Sequence, residues 1–202
     1  MASLLALVVC VAPLGRHETS HLPAVLRGIE HLYDAQARTL APGPLPAAAW
    51  YAPRRRWRAE RLLEYLDARL VPGSGCDVIV GYTDEDISTT KGPHVDWGVL
   101  GLAGLNGASA MVSSFRARRG ARGDKLRKRV VNVVNHELGH ALGAPHDDAP
   151  GCIMADAQGS VRTVDAETGL LCAECRRVIE ATRGVHVPAR AEFDWARVLR
   201  GR

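Results

Sequence analysis

The stretch His136-Glu137-Leu138-Gly139-His140-Ala141-Leu142-Gly143-Ala144-Pro145-His146 decides how the rest of the chain is read. On an α-helix, His136 and His140 stand one turn apart and project from one face, so two imidazoles can grip one metal ion. Glu137 lies about 100° around the helix from His136, close enough to reach a metal-bound water. Leu126, Val130, Val134, Leu138 and Leu142 form an apolar seam. Val134 and Leu138 lie about 200° from His136, so the histidines face away from that seam and into a cleft. Gly143 tolerates the positive φ needed for an abrupt helix exit, and Pro145 stiffens the segment that brings His146 back. Three neutral imidazoles leave a fourth zinc position open, which marks a catalytic rather than a structural site.

Upstream, the apolar periodicity predicts a strand over 3–12, a helix from Ser20 to Arg38 and a strand from Ala47 to Tyr51. A helix from Arg58 to Arg69 follows, then strands at Val78–Tyr82, Gly98–Leu102 and Ala108–Phe115, with Ala41–Pro44 and Thr83–Asp96 as loops. The long helix runs from Asp124 to Leu142, and a last one from Cys172 to Thr182 closes the globular part. This order predicts an α/β (α+β) class: a twisted mixed sheet with helices, then the long active-site helix. The expected organisation is one domain. It has an N-terminal lobe over 1–143, a small irregular C-terminal lobe over 144–185 and a tail over 186–202.

At 202 residues, 47% hydrophobic and 24% charged, the chain has the composition of a folded protein rather than a disordered one. Its 26 Lys+Arg against 22 Asp+Glu give +4, a mild basic bias. The run Arg116–Arg129 holds eight Lys or Arg against one acid, Asp124, and reads as a solvated face; no nucleic-acid motif accompanies it. No apolar run approaches the roughly 20 residues of a membrane-spanning helix. The apolar stretch Leu4–Val11 has no preceding basic residue and reads as a buried strand, so the expected location is cytoplasmic. Cys10 and Cys76 are expected to be separate buried small residues, and the odd count of five cysteines argues against a disulfide framework. The pair Cys172 and Cys175 is open to metal or redox chemistry.

Beyond His146 the pattern continues with Asp147, Cys152-Ile153-Met154, seventeen residues, and Cys172-Ala173-Glu174-Cys175. From His136 to Cys175 the chain resembles the archaemetzincins, a branch of the metzincin zinc peptidases. Their pattern is HExxHxxGxxH with a cysteine directly after the third histidine, then Cys-x-Met and CxxC. The one departure is Asp147, which stands where the family has its first cysteine. Gly81-Tyr82-Thr83-Asp84 and Ser113-Ser114-Phe115-Arg116 are also similar to the family.

The resemblance implies that His136, His140 and His146 bind a catalytic zinc and that Glu137 is the general acid/base. It implies a Met-turn at Met154, and a second, structural zinc held by Asp147, Cys152, Cys172 and Cys175. Carboxylate oxygen is an acceptable zinc ligand, but the softer thiolate set would hold the ion more tightly. The expected activity is hydrolysis of peptide bonds, of endopeptidase or aminopeptidase type, through a zinc-bound water activated by Glu137. The expected partner is a peptide or protein substrate laid along an edge strand within Trp97–Phe115, and the expected state is a monomer. All four tyrosines precede the motif, so none follows Met154 to donate to an oxyanion. The competing reading is a zinc-stabilised binding module without useful turnover. Retention of Glu137 favours the enzyme, because a purely structural metal has no need of a base.

Overall fold

The computed structural model describes residues 6–201. Five strands build the central sheet: β1 (Val8–Pro13), β2 (Gln36–Thr39), β5 (Val78–Thr83), β8 (Gly101–Ala103) and β9 (Ser109–Ser113). Their order is β2-β1-β5-β9-β8, parallel throughout except for the antiparallel edge strand β8. The alternation of side chains divides the core into two layers. Val9, Val11, Val78, Val80, Ala110 and Val112 point to one face, against helices α1 (Leu22–Tyr33) and α4 (Gly123–Ala141). Cys10, Ala12, Ile79 and Met111 point to the other, against α2 (Ala59–Asp67). A smaller sheet, β3 (Trp50–Tyr51), β4 (Arg56–Arg58), β6 (Ile87–Lys91) and β7 (His94–Val99), lies beside α2. The short helices α3 (Ser114–Ala117) and α5 (Val161–Ala166) precede α6 (Ala173–Arg183) and α7 (Trp195–Arg200).

Several expectations are corrected. The first helix stops at Tyr33, where Asp34 takes a left-handed conformation (φ 52°), and residues 36–39 form β2 instead of more helix. The segment expected as a loop over Thr83–Asp96 contains β6 and the start of β7, an antiparallel hairpin anchored by buried Ile87. Ala47–Ala49 is a 3-10 turn, which leaves only Trp50 and Tyr51 in a strand. The helix expected over Cys172–Thr182 does not close the globular part: the tail carries α7, whose Val198 and Leu199 are buried, and Arg27 donates to their carbonyls. Residues 3–5 of the first expected strand lie outside the described residues. Cys10 and Cys76 are bonded as a disulfide, because parallel pairing of β1 with β5 brings the end of the β5 lead-in beside Cys10. Among the described residues no helix is long and apolar enough to cross a membrane.

The expected seam of the long helix is present, with Leu126, Val130, Val134, Leu138 and Leu142 all buried. Helix α4 crosses the central sheet against β9 and β8, and Gly28 of α1 lets it approach: a Cβ there would meet Val131. Asn135 clamps the same crossing, donating to the Gly28 carbonyl while its own carbonyl accepts from the Tyr33 hydroxyl.

Candidate active site and second metal cluster

The C-terminal half of α4 lifts His136 and His140 into a cleft bounded by β8, the β6–β7 hairpin and the 155–159 loop. At the helix end Gly143 adopts φ 108°, its N–H bonds to the His140 carbonyl, and the Ala144 N–H bonds to the Gly139 carbonyl. The chain then turns back and places His146 beside the other two rings. One nitrogen from each of the three histidines lies within 4.8 Å of the others.

The hydrogen bonds fix what those nitrogens are. His136 Nδ1 donates to the Ile153 carbonyl at 2.7 Å, and His140 Nδ1 donates to the Ala144 carbonyl at 2.8 Å. A carbonyl only accepts, so each Nδ1 carries the proton and each Nε2 carries a lone pair. The two Nε2 atoms face each other at 3.0 Å, which places two lone pairs together with no hydrogen between them. A shared cation removes that repulsion, and outer carbonyl partners of this kind orient metal-binding histidines. Burial also pushes His136 down to about 4, with His140 adding to the shift, so the ring stays neutral and able to ligate at ordinary pH. Burial lowers His140 as well, against the opposing pull of the Ala144 carbonyl.

Glu137 is buried, and burial alone pushes its carboxyl up to about 8. It faces Gly101 of β8, the free edge of the central sheet. Beneath the cage lies Met154, fully buried, with its thioether against Gly139 so closely that a Cβ at that position would overlap it. The Asp147 N–H bonds to the Met154 carbonyl at 3.0 Å. Through that bond and the Ile153 carbonyl, residues 147–154 are tied back under the histidines.

The second predicted group also comes together. Ligand atoms of Asp147, Cys152, Cys172 and Cys175 all lie within 4.8 Å of one another. Cys152 and Leu170 form an isolated parallel bridge, which brings the loop bearing Cys152 to the start of α6. Cys172 caps α6, accepting from the Cys175 N–H at 3.4 Å. The Cys152 and Cys175 sulfurs lie 3.9 Å apart and the Cys172 N–H donates to the Cys152 sulfur at 3.3 Å, contacts that hold the Cys152 thiol down at about 6. Asp147 spends Oδ1 on the Ala149 N–H, leaving its other oxygen for a cation.

The cleft has a volume of about 460 Å³ and contains residues without a sequence signal. Thr89 and Lys91 come from the hairpin strand that the sequence presented as a polar loop, and Asp156 and Glu167 from the irregular lobe. Burial, with Cys152 nearby, pushes Glu167 up to about 8. The basic run is largely spoken for. Arg116 pairs with Asp86, Arg118 with Asp84, Arg129 and Lys125 with Asp165, and Arg127 with Asp124.

Comparison with known proteins agrees with this geometry. The model of peptidase family M54 matches residues 99–181. An archaemetzincin from Natronomonas pharaonis is 32% identical over 171 residues, 78% of this chain and 94% of the relative. One from Archaeoglobus fulgidus is 32% identical over 157 residues, 77% and 89% of the two chains. The crystal structure of archaemetzincin from Methanopyrus kandleri superposes with a TM-score of 0.73 at 25% identity, over 88% of this chain and 95% of that one. That of the Archaeoglobus fulgidus protein, complexed with malonate, gives 0.70 at 27% identity, over 84% and 98%. Sequence and fold together show that the chain belongs to the archaemetzincin family of zinc-dependent peptidases.

Proposed function

We propose that the chain hydrolyses peptide bonds with zinc held by His136, His140 and His146 and with Glu137 moving the proton. The observation that carries this reading is the convergence of Nε2 lone pairs of His136 and His140, a donor set that a shared cation relieves. When bound, zinc supplies a Lewis acid that activates water and polarises the scissile carbonyl. Glu137 accepts the proton of the attacking water at its carboxylate and delivers it to the nitrogen of the leaving amine. Its upward shift supports that role, because a base is most effective when its pKa lies near the working pH. The free edge of β8 offers unpaired backbone groups on which an extended peptide can lie.

The cleft continues past Glu137 towards Val133 on one side and past His146 and Pro145 on the other. Room on both sides of the scissile bond favours endopeptidase over aminopeptidase action. Asp147, Cys152, Cys172 and Cys175 hold the second zinc, which is structural: four protein ligands leave no position for substrate. Cage, base and cleft all come from one chain, in keeping with a monomer. A cytoplasmic location is in keeping with β1, whose Val8–Val11 are part of the central sheet. The Cys10–Cys76 disulfide argues the other way, because such bonds persist mainly in oxidising compartments. Alkylation of free thiols at the moment of cell lysis decides between the two.

The test of the catalytic assignment is Glu137→Ala. It should abolish cleavage of unstructured peptides while zinc, measured by elemental analysis, stays bound, because Glu137 is a base and not a ligand. Metal lost along with activity would show the assignment to be wrong. Wild-type protein that holds zinc but cleaves no peptide would leave the binding-module reading standing.

A further inference from the structure

On α4, Val133 precedes Glu137 by one turn and faces the same way, so the cleft extends from the base towards the helix N-terminus. Val133 and Val164 give this arm apolar sides, and Glu167 stands at its wall. Glu167 Oε2 is buried with no hydrogen-bond partner among the described residues. The bases on the neighbouring surface are engaged elsewhere: Arg129 and Lys125 turn to Asp165, and Lys128 lies over the Trp195 ring. A buried carboxyl without a partner favours its neutral form, and a cation brought by the substrate would hold it ionised and satisfy that oxygen. An arm with apolar sides and a carboxylate at its wall matches a side chain made of a methylene stem and a cationic head.

We propose that Glu167 gives the enzyme a preference for Lys or Arg at the residue whose amine is released by cleavage. This rests on the peptidase reading above, since the assignment of the position follows from Glu137 passing its proton to the leaving amine. The arm beyond Glu137 therefore takes the side chain attached next to that amine. Asp156, also lining the cleft, adds negative charge to it; Lys91 is the opposing cation.

The experiment uses peptides identical except at that residue, which is Lys, Arg, norleucine or Glu. For wild type, kcat/KM should favour Lys and Arg over norleucine by about 10- to 100-fold, the value of a charge-assisted hydrogen bond to a buried group. In Glu167→Gln the ratio should shrink to within about threefold, because the amide keeps the shape but loses the charge. Glu167→Lys should move the preference to Glu. The same peptides, titrated onto zinc-loaded Glu137→Ala protein by fluorescence anisotropy, should show the Lys-over-norleucine ratio in affinity, and adding Glu167→Gln should remove it. Equal treatment of Lys and norleucine by wild type overturns the proposal without any variant, and so does a ratio that survives in Glu167→Gln. If nothing is cleaved, the peptidase reading falls by itself, and the anisotropy ratio still decides the role of Glu167.

Discussion

Gly101 on the edge strand and Glu137 on the active helix are packed so closely that a Cβ on residue 101 would stand 2.6 Å from Glu137 Oε1. The absence of a side chain at 101 is thus what lets the base lie under the sheet edge.

Gly101→Ala should displace the Glu137 carboxylate and lower kcat by at least about tenfold, equivalent to ~1.4 kcal/mol of barrier. Zinc content should not change, since the atoms that a Cβ at 101 would meet first all belong to Glu137 and none to the histidines. Steady-state kinetics beside elemental analysis check both halves. Unaltered kcat would mean that Glu137 shifts without cost.

The second metal cluster predicts opposite effects from two substitutions. Asp147→Cys restores a thiolate and should raise zinc retention under mild chelation together with Tm, whereas Cys175→Ser should lower both. If zinc stoichiometry and Tm ignore both changes, Asp147 is a surface acid and the three sulfurs hold nothing.

Arg129 is buried, with its guanidinium forked onto Asp165 at 2.6 and 2.7 Å and its third nitrogen on the Ala117 and Arg119 carbonyls. Asp165→Asn leaves that charge short of its counter-ion and should destabilise the fold by about 2–3 kcal/mol. Chemical denaturation reads this directly. A loss no greater than that of an ordinary surface substitution would show the two carbonyls to be sufficient.

His21 is buried, with Nδ1 2.6 Å from the Tyr82 hydroxyl, and burial holds it below its ordinary 6.5 against the pull of Asp84 and Glu18. The folded chain therefore keeps the ring neutral where the unfolded chain takes up a proton. This contribution to stability is complete above about pH 6.5 and is lost as pH falls through the window below it. Tm of wild type should drop more steeply than that of His21→Gln between about pH 7 and about pH 5. Parallel curves for the two proteins would contradict the shift.

The histidine cage was legible because one helical turn separates His136 from His140, and a glycine must end the helix if His146 is to return. Of the cysteine cluster, the spacing of Cys172 and Cys175 marked only one pair; that Asp147 and Cys152 join it was legible through resemblance to a known pattern, since the Cys152–Leu170 bridge brings the two segments together. Strand β2 was not legible. Gln36, Arg38 and Thr39 are exposed at the sheet edge, so no apolar alternation marks them. The β6–β7 hairpin hides in polar residues for the same reason, with Ile87 as its only deeply buried large apolar anchor. Cys10 and Cys76 are separated by 66 positions, and only the β1–β5 register shows that they meet. Glu167 has no neighbour in sequence that hints at a cleft; its role follows from what fails to pair with it.

The ion pairs along 116–129 have a practical corollary at the bench. Five of the eight cations in that run are already tied to carboxylates, stitching α3 and α4 to Asp84, Asp86 and Asp165 or to Asp124 within α4 itself. A polyanionic resin would have to pull those stitches loose before it could use them, and few counterions would be released in exchange. Despite a sequence pI near 9.0, the protein should leave phosphocellulose early in a salt gradient.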